Sequence, residues 1–289
     1  MPAFPTPTPI TVEAELGVGD VHVTATDRDD TVVEVTPTDP DDESDRKAAE
    51  QTVVDFTDGR LRIVAPRRKP FHVTRKTRSV RVTIQVPTGS RLDVDTQMGD
   101  LWSTGRLGRC RFKSGAGHIR ADLTGPLHVD TGAGRVTVGT AAGDTEVTTG
   151  TGRVDIGRVE GTAVVKNSNG DIALGTVTGR VLARTANGAV SVDRPHADVE
   201  ARTSNGAVRV GSASGGSLVL KTGMGDVEVG IAEGVAARLD LGTGFGRAHS
   251  ELDELGAPPA PAGRTVDVTA HSGFGDVTVR RAHPEGDPA

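Results

Sequence analysis

The sequence predicts an all-β chain wound as a single parallel β-solenoid (β-helix), with rungs of roughly 18 residues and a right-handed coil. Three observations predict it. A Gly followed two residues later by an aliphatic residue recurs along the chain. Apolar and polar residues alternate on both sides of that Gly. The apolar content is rich in Val, Ala and Leu, with no Tyr, one Trp and six Phe against 38 Gly. A compact globule fills a wide core with aromatics, whereas this composition suits a thin core with many tight corners.

The recurring Gly gives the period. It occurs in VGDVHV, MGDLWS, AGHIRA, AGRVTV, TGRVDI, NGDIAL, NGAVSV, NGAVRV, MGDVEV, FGRAHS and FGDVTV. The anchors are Gly19, Gly99, Gly117, Gly134, Gly152, Gly170, Gly188, Gly206, Gly225, Gly246 and Gly275. From Gly99 the steps are 18, 17, 18, 18, 18, 18, 19, 21 and 29. Aligning the rungs on this Gly gives columns. Five before it stand Val94, Phe112, Val129, Val147, Val165, Ala183, Ala201, Leu220 and Leu241; seven before it, the column runs from Leu92 and Cys110 to Leu218 and Leu239. Two and four after it, aliphatic residues such as Val136 and Val138 or Val190 and Val192 recur. Alternation on both sides of a sharp bend means two half-buried strands joined at a corner. A shorter third side carries Ala141, Val159, Val177, Pro195 and Ala213 inward. One rung cannot bury its apolar face, but a stack of rungs at ~4.8 Å buries a continuous core.

A polar column lies three before the anchor: Thr96, Ser114, Thr131, Thr149, Asn167, Thr185, Thr203, Thr222, Thr243 and Ser272. Its phase points it inward, so each side chain is expected to bond the next rung or the corner backbone. Ten equivalent copies do not make a nucleophile, which needs one activated copy beside a base.

The ends are less regular. Residues 1–9 read as a flexible Pro/Thr tail. Residues 10–91 read as a first rung plus an N-terminal cap with charged loops: an acidic stretch at 39–50 and a basic one at 66–81. Residues 92–282 form the regular solenoid with a Pro/Gly-rich loop at 249–264, and 283–289 form a flexible tail. There is no apolar run long enough to span a membrane and no transmembrane segment is expected. The single Cys110 excludes an internal disulfide, and a cytoplasmic location is expected. The net charge of −6 supports solubility without naming a partner.

The run SVRVTIQVPTGSRLDVDTQMGD, the repeating TGxGxVxVG and the closing SGFGDVTV resemble the bacterial "putative adhesin" β-strand-repeat family over about 10–282. That resemblance implies a β-rich fold and supplies no catalytic residues. A weaker similarity is to bactofilin-like β-helices, which implies a scaffold that self-associates.

The chemical signals point away from catalysis and metals. Calcium-binding β-rolls place Asp two residues after Gly, whereas here Asp100, Asp171, Asp226 and Asp276 follow Gly directly, and other rungs put His118, Arg135 or Ala189 there. Hexapeptide acyltransferases need an aliphatic residue every six; counting on from Val136 gives Ala142 and Thr148. A carbohydrate-active β-helix needs clustered carboxylates with one raised pKa, but Asp130, Glu146, Asp155 and Glu228 are spread along solvent-facing positions. No catalytic residue, metal ligand or cofactor is assigned. The expected function is a non-enzymatic scaffold that binds a protein partner or itself. The candidate interface is Met224, Phe245 and Phe274, each just before its anchor Gly at the corner tip. The alternatives are a carbohydrate-active enzyme and a polyanion binder using Arg67, Arg68, Lys69, Arg75, Lys76 and Arg78, with no specific nucleic acid indicated.

Overall fold

The structure, a computed structural model, describes residues 2–66, 78–252 and 265–282. The chain is all-β and winds as a parallel β-solenoid, as the repeat predicts, with one helix among the described residues. It divides into two compact units: Met1–Gly143 with Val147–Gly150, and Asp144–Glu146 with Thr151–Ala289.

The first unit opens with β1 (Ala3–Pro5), β2 (Thr11–Thr26), β3 (Asp30–Pro37) and α1 (Glu43–Gln51). It continues with β4 (Val53–Thr57), β5 (Arg60–Val64), β6 (Ser79–Pro87), β7 (Arg91–Met98) and β8 (Leu101–Arg106). Strand β2 turns the corner at Gly19 and lies between two rungs. It pairs in parallel with β7 and β8 on one side, through Thr11↔Arg91 and Val21↔Leu101. On the other side it pairs with β5 and β6, through Thr11↔Arg60 and Val18↔Ser79. The outermost rung, β5–β6, therefore comes later in the chain than the rung beneath it. Its free edge is closed by antiparallel strands: β4 on β5, β3 on β6, and β1 on β3. Such cover removes an edge that would otherwise recruit other chains.

Two details of this end differ from the sequence reading. Within the expected tail, Ala3–Pro5 forms a strand, the buried hydroxyls of Thr6 and Thr31 lie 2.8 Å apart, and the Phe4 ring stacks on Phe56 at 5.0 Å. Within the acidic stretch expected as a loop, α1 forms. The Asp42 carboxylate accepts from the Ser44 backbone N–H at 2.6 Å, and Glu43 and Asp45 sit in the first turn, where the helix dipole favours negative charge. Asp45 is buried and accepts from the backbone N–H groups of Ser79 at 2.7 Å and Asp39 at 3.2 Å, which fastens the helix to β6.

Regular rungs follow as strand pairs. The first unit adds β9 (Cys110–Ala116) with β10 (Ile119–Thr124), and β11 (Leu127–Ala133) with β12 (Val136–Ala141). Strand β13 (Thr145–Thr151) contributes residues to both units. The second unit holds β14 (Val154–Val159), then β15 (Ala163–Asn169) with β16 (Ile172–Val177). Next come β17 (Val181–Asn187) with β18 (Val190–Pro195), and β19 (Val199–Asn205) with β20 (Val208–Ala213). The registers match the sequence columns, as in Val129↔Phe112 and Ala183↔Ala201. These inward columns are buried throughout the regular rungs, and so are the third-side residues Ala141, Val159, Val177, Pro195 and Ala213.

The second unit ends with β21 (Gly216–Met224), β22 (Val227–Ile231), β23 (Ala236–Phe245), β24 (Ala248–Ser250), β25 (Thr265–Phe274) and β26 (Val277–Arg281). The sequence places the rung of Gly275 last. The structure inserts it: β25 pairs with β21 on one side and β23 on the other, and β26 lies between β22 and β24. The composition agrees with this order. Strand β25 alternates cleanly, with Val266, Val268 and Ala270 fully buried, as suits a strand paired on both edges. Strand β23 carries outward Arg238 and Asp240, and its inward Leu239 and Leu241 are only half-buried, because among the described residues no rung lies over them.

Candidate interaction surface

The corner is built by the anchor glycines, whose φ angles run from 135° to 151°. L-residues rarely adopt such values. A Cβ on Gly206 would stand 2.1 Å from the carbonyl oxygen of Gly188, so this corner backbone packs directly on that of the neighbouring rung. The residue preceding each anchor projects from the tip. In the second unit this column runs from Thr151 to Asn169, Asn187 and Asn205, and the three Asn amides form a ladder: the Asn187 side chain donates to Asn169 Oδ1 at 2.8 Å and that of Asn205 to Asn187 Oδ1 at 2.9 Å.

The column then becomes apolar. Asn205 is in register with Met224, Met224 with Phe274, and Phe274 with Phe245. The structure thus brings together the three residues singled out in the sequence, in the spatial order Met224, Phe274, Phe245. The two rings stack with centroids 4.8 Å apart and planes 5° from parallel. All three remain exposed: Met224 by 56%, Phe274 by 55% and Phe245 by 70%. Sequence reasoning missed a fourth residue of this type. Met98, which precedes Gly99 in the first unit, is 56% exposed at the same corner position; the MGDLWS motif already placed it there.

The inner polar column keeps the corner closed. Thr203, Thr222, Ser272 and Thr243 donate to the carbonyls of Gly188, Gly206, Gly225 and Gly275 at 2.8–2.9 Å. Each acceptor is the anchor Gly of the neighbouring rung. Asn167 does the same with its amide, donating to Gly152 at 2.8 Å and to Gly170 at 3.0 Å. Thr96, Ser114, Thr131 and Thr149 are equally buried, and their hydroxyls have no hydrogen-bond partner.

The Asp that follows the anchor also serves the corner. Asp100 accepts from the His118 backbone N–H at 2.7 Å, Asp171 from Ala189 at 2.9 Å, Asp226 from Asp276 at 2.8 Å, and Asp276 from Arg247 at 2.8 Å. These carboxylates bridge rungs. Among the described residues no group of three His, Cys, Asp or Glu side chains converges as a metal site.

The remaining charge is organised in pairs. An open hollow of about 670 Å³ in the second unit is lined by Arg194, Arg209, Glu228, Glu233 and Arg280, among others. Within it Arg209 donates to both oxygens of Glu228 at 2.9 Å, and Arg280 stands 3.9 Å away. The Arg209 hydrogen bonds hold the Glu228 carboxyl below its ordinary range. On the outward sheet face Lys166, Arg184, Arg202 and Lys221 stand in register on β15, β17, β19 and β21. Glu200 meets this cationic column, reaching Arg184 at 2.6 Å, Arg202 at 3.1 Å and Arg180 at 3.6 Å. The Arg184 hydrogen bond, aided by the neighbouring charges, lowers its carboxyl pKa. Of the polyanion candidates, Arg67, Arg68, Lys69, Arg75 and Lys76 lie outside the described residues; Arg78 is exposed at the start of β6, with φ 51°. Cys110 is fully buried, and burial pushes its thiol pKa up to about 12, so it packs as an apolar residue. No helix is long and apolar enough to cross a membrane among the described residues.

No curated protein matches the chain. Among solved structures it is similar to a "putative cell adhesion protein" from Clostridium sporogenes, with 11% identity over 97% of this chain and 98% of that one and a TM-score of 0.27. It is also similar to a "putative adhesin" from Bacteroides fragilis, with 11% identity over 96% and 95% of the two chains and a TM-score of 0.33. Residues 10–280 match the family model described as Toastrack DUF4097, and the chain belongs to that family.

Proposed function

We propose that this chain is a non-enzymatic interaction scaffold whose C-terminal corner ridge docks a protein. The observation that carries this is the Phe245–Phe274 stack, in register with Met224 and open to solvent. A protein using these rings for its own core would bury them. An exposed apolar cluster on a rigid β-corner is instead preorganised for contact, because its rings are already ordered before binding. The electrostatics support the non-enzymatic part. Among the described residues the carboxyls that depart from their ordinary pKa, Asp30, Glu200 and Glu228, are all lowered by Arg hydrogen bonds. An acid catalyst needs the opposite shift.

The test is the triple variant Met224→Ser, Phe245→Ser, Phe274→Ser. A docking ridge predicts loss of assembly by sedimentation velocity with a melting temperature close to that of the parent. A ridge packed within the fold predicts a far lower melting temperature, since removing a buried Phe side chain costs ~3–5 kcal/mol.

A second reading, polyanion binding, is favoured by the in-register column Lys166, Arg184, Arg202 and Lys221, four cations against which Glu200 and Glu146 set two carboxylates. Retention on heparin that falls steeply with salt, and falls further in Lys166→Ser/Lys221→Ser, is the expected result. A parent that elutes at low salt ends this reading.

A further inference from the structure

Among the described residues no strand lies on the outer edge of the second unit's last rung. Strand β23 pairs with β25 and with no other strand among the described residues. The bonding phase follows from the regular rungs, where the residue seven before the anchor donates its N–H to the following rung, as Cys110 does to Pro126 and Val181 to Asp198. Peptide groups alternate sides along a strand. In β23, which keeps the same register up to Thr243, the peptide groups of Leu239 and Leu241 therefore face the open edge, and those of Arg238, Asp240 and Gly242 face β25. The core is open at the same place. Leu218 and Leu220 are fully buried, while Leu239 and Leu241 in the same columns are half-buried.

We infer that β23 pairs antiparallel with β23 of a second copy of this chain, around a two-fold axis at Leu239. The inference rests on reading the C-terminal end as an interaction surface and names its occupant. Two arguments select that geometry. First, the first unit covers its own outermost rung with the antiparallel strands β4, β3 and β1, so it offers no open rung on which β23 could stack as the next one. The open edge then has its own equal as partner, and two equal edges meet with two-fold symmetry, which makes strands antiparallel. Second, the charges along β23 are self-complementary in one register. Centred on Leu239, the pairing sets Arg238 opposite Asp240 of the second copy, twice per dimer. Leu239 turns its peptide groups to the edge, so it and its equivalent form the hydrogen-bonded pair at the axis, while Arg238 and Asp240 meet as the closer, non-hydrogen-bonded pairs. Centring on Asp240 would oppose two carboxylates, and centring on Leu241 would set Asp240 against Gly242. Arg238 and Asp240 have the exposure to do this: their side chains are 81% and 72% exposed despite contacts with Asp267 at 3.0 Å and His271 at 3.7 Å.

The experiment uses the full chain, sedimentation equilibrium and two single variants. The parent is expected to dimerise. Arg238→Asp gives each copy two carboxylates on this edge, and Asp240→Arg gives each copy two guanidinium groups. Each variant alone is expected to weaken the dimer by about tenfold or more, since both charge pairs become repulsive. Mixed in equal amounts, the two variants are expected to recover a dimer, because each edge now meets its complement. Circular dichroism confirms that both are folded, and Leu239→Lys, which sets two ammonium groups at the axis, is a further variant expected to be monomeric. A parent that stays monomeric at ~100 µM overturns the inference but leaves the corner ridge free to hold a different protein. A parent dimer that the single variants do not weaken, or that their mixture does not restore, overturns the β23 geometry alone. The corner-ridge reading fails separately if the triple Ser variant melts far below the parent, whatever becomes of this dimer.

Discussion

At Gly188 the backbone has φ 136°, and a Cβ would stand 2.3 Å from the Gly170 carbonyl oxygen. Gly188→Ala is therefore expected to destabilise the fold by at least ~1–3 kcal/mol, the usual cost of an L-residue in a sparsely populated region, with the backbone clash added. Gly59 is the control. It sits at φ 72° in the β4–β5 turn with nothing within 4 Å of a Cβ. Gly59→Asn should stay within ~0.5 kcal/mol of the parent, because Asn tolerates left-handed backbone. Urea unfolding with unchanged m-values checks both, and equal costs would mean that the corner is not close-packed. At this scale the sequence was legible wherever one residue type repeats. The anchor Gly, the inward aliphatics and the Thr/Ser column all recur, and in the regular rungs the structure buries the last two as their phase requires. The residue after the anchor was harder to read, because an acceptor stands at only some corners, as Asp or His, while Arg or Ala stands at the others. Asp100 accepts a backbone N–H from the next rung, and His118 does the same through Nδ1, taking Arg135 N–H at 3.0 Å.

Strand order was not legible, for a reason that lies in the repeat itself. Rungs with the same alternation fit one another in any order, so pattern alone cannot say which neighbours which. Only the long steps between anchors, 80 residues after Gly19 and 29 after Gly246, signal that the chain has room to return. At both places it does return: β2 lies under β5–β6, and β25–β26 lie under β23–β24. Each inserted element is held by strands on both edges, which resists fraying at the two ends of the repeat. The consequence is a dependence that runs backwards along the chain. Strand β23 has β25 as its partner, and β24 has β26. Removing residues 265–289 should therefore unfold β23 and β24 although their own sequence is untouched, while β21 survives on its pairing with β19. Hydrogen exchange tests this. Asp240 and Gly242 amides should lose protection in the truncated chain while Val219 and Lys221, which face β19, keep theirs. Protection retained in β23 would mean that it slides onto β21, and that insertion is a preference and not a requirement.

For the molecule as a whole, the carboxylates raise the question of metal dependence. The chain has 39 Asp and Glu and a net charge of −6, and it sets Asp beside Gly at corner after corner. In calcium-binding β-rolls such corners hold metal, and the fold depends on it. Here the corner oxygens are engaged otherwise: Asp171, Asp226 and Asp276 each accept a backbone N–H from the adjoining rung. A cation at such a corner would have to displace that hydrogen bond. It would also meet the columns where Arg135, Arg153 and Arg247 replace Asp. Hard cations need six or more oxygens in one place, and isolated single carboxylates do not supply them. The expected result is a melting temperature that differs by no more than ~1–2 °C between EDTA and millimolar calcium at matched ionic strength, the matching being needed because any salt screens an acidic chain. A real site gives a different number. Calcium at a hundredfold its dissociation constant stabilises by ~2.7 kcal/mol. For a chain of this size, at ~2–4 °C per kcal/mol, that is a rise of roughly 5–10 °C. A calcium-specific rise of that size, absent with sodium at equal ionic strength, would show that the corner carboxylates bind metal in preference to bridging rungs.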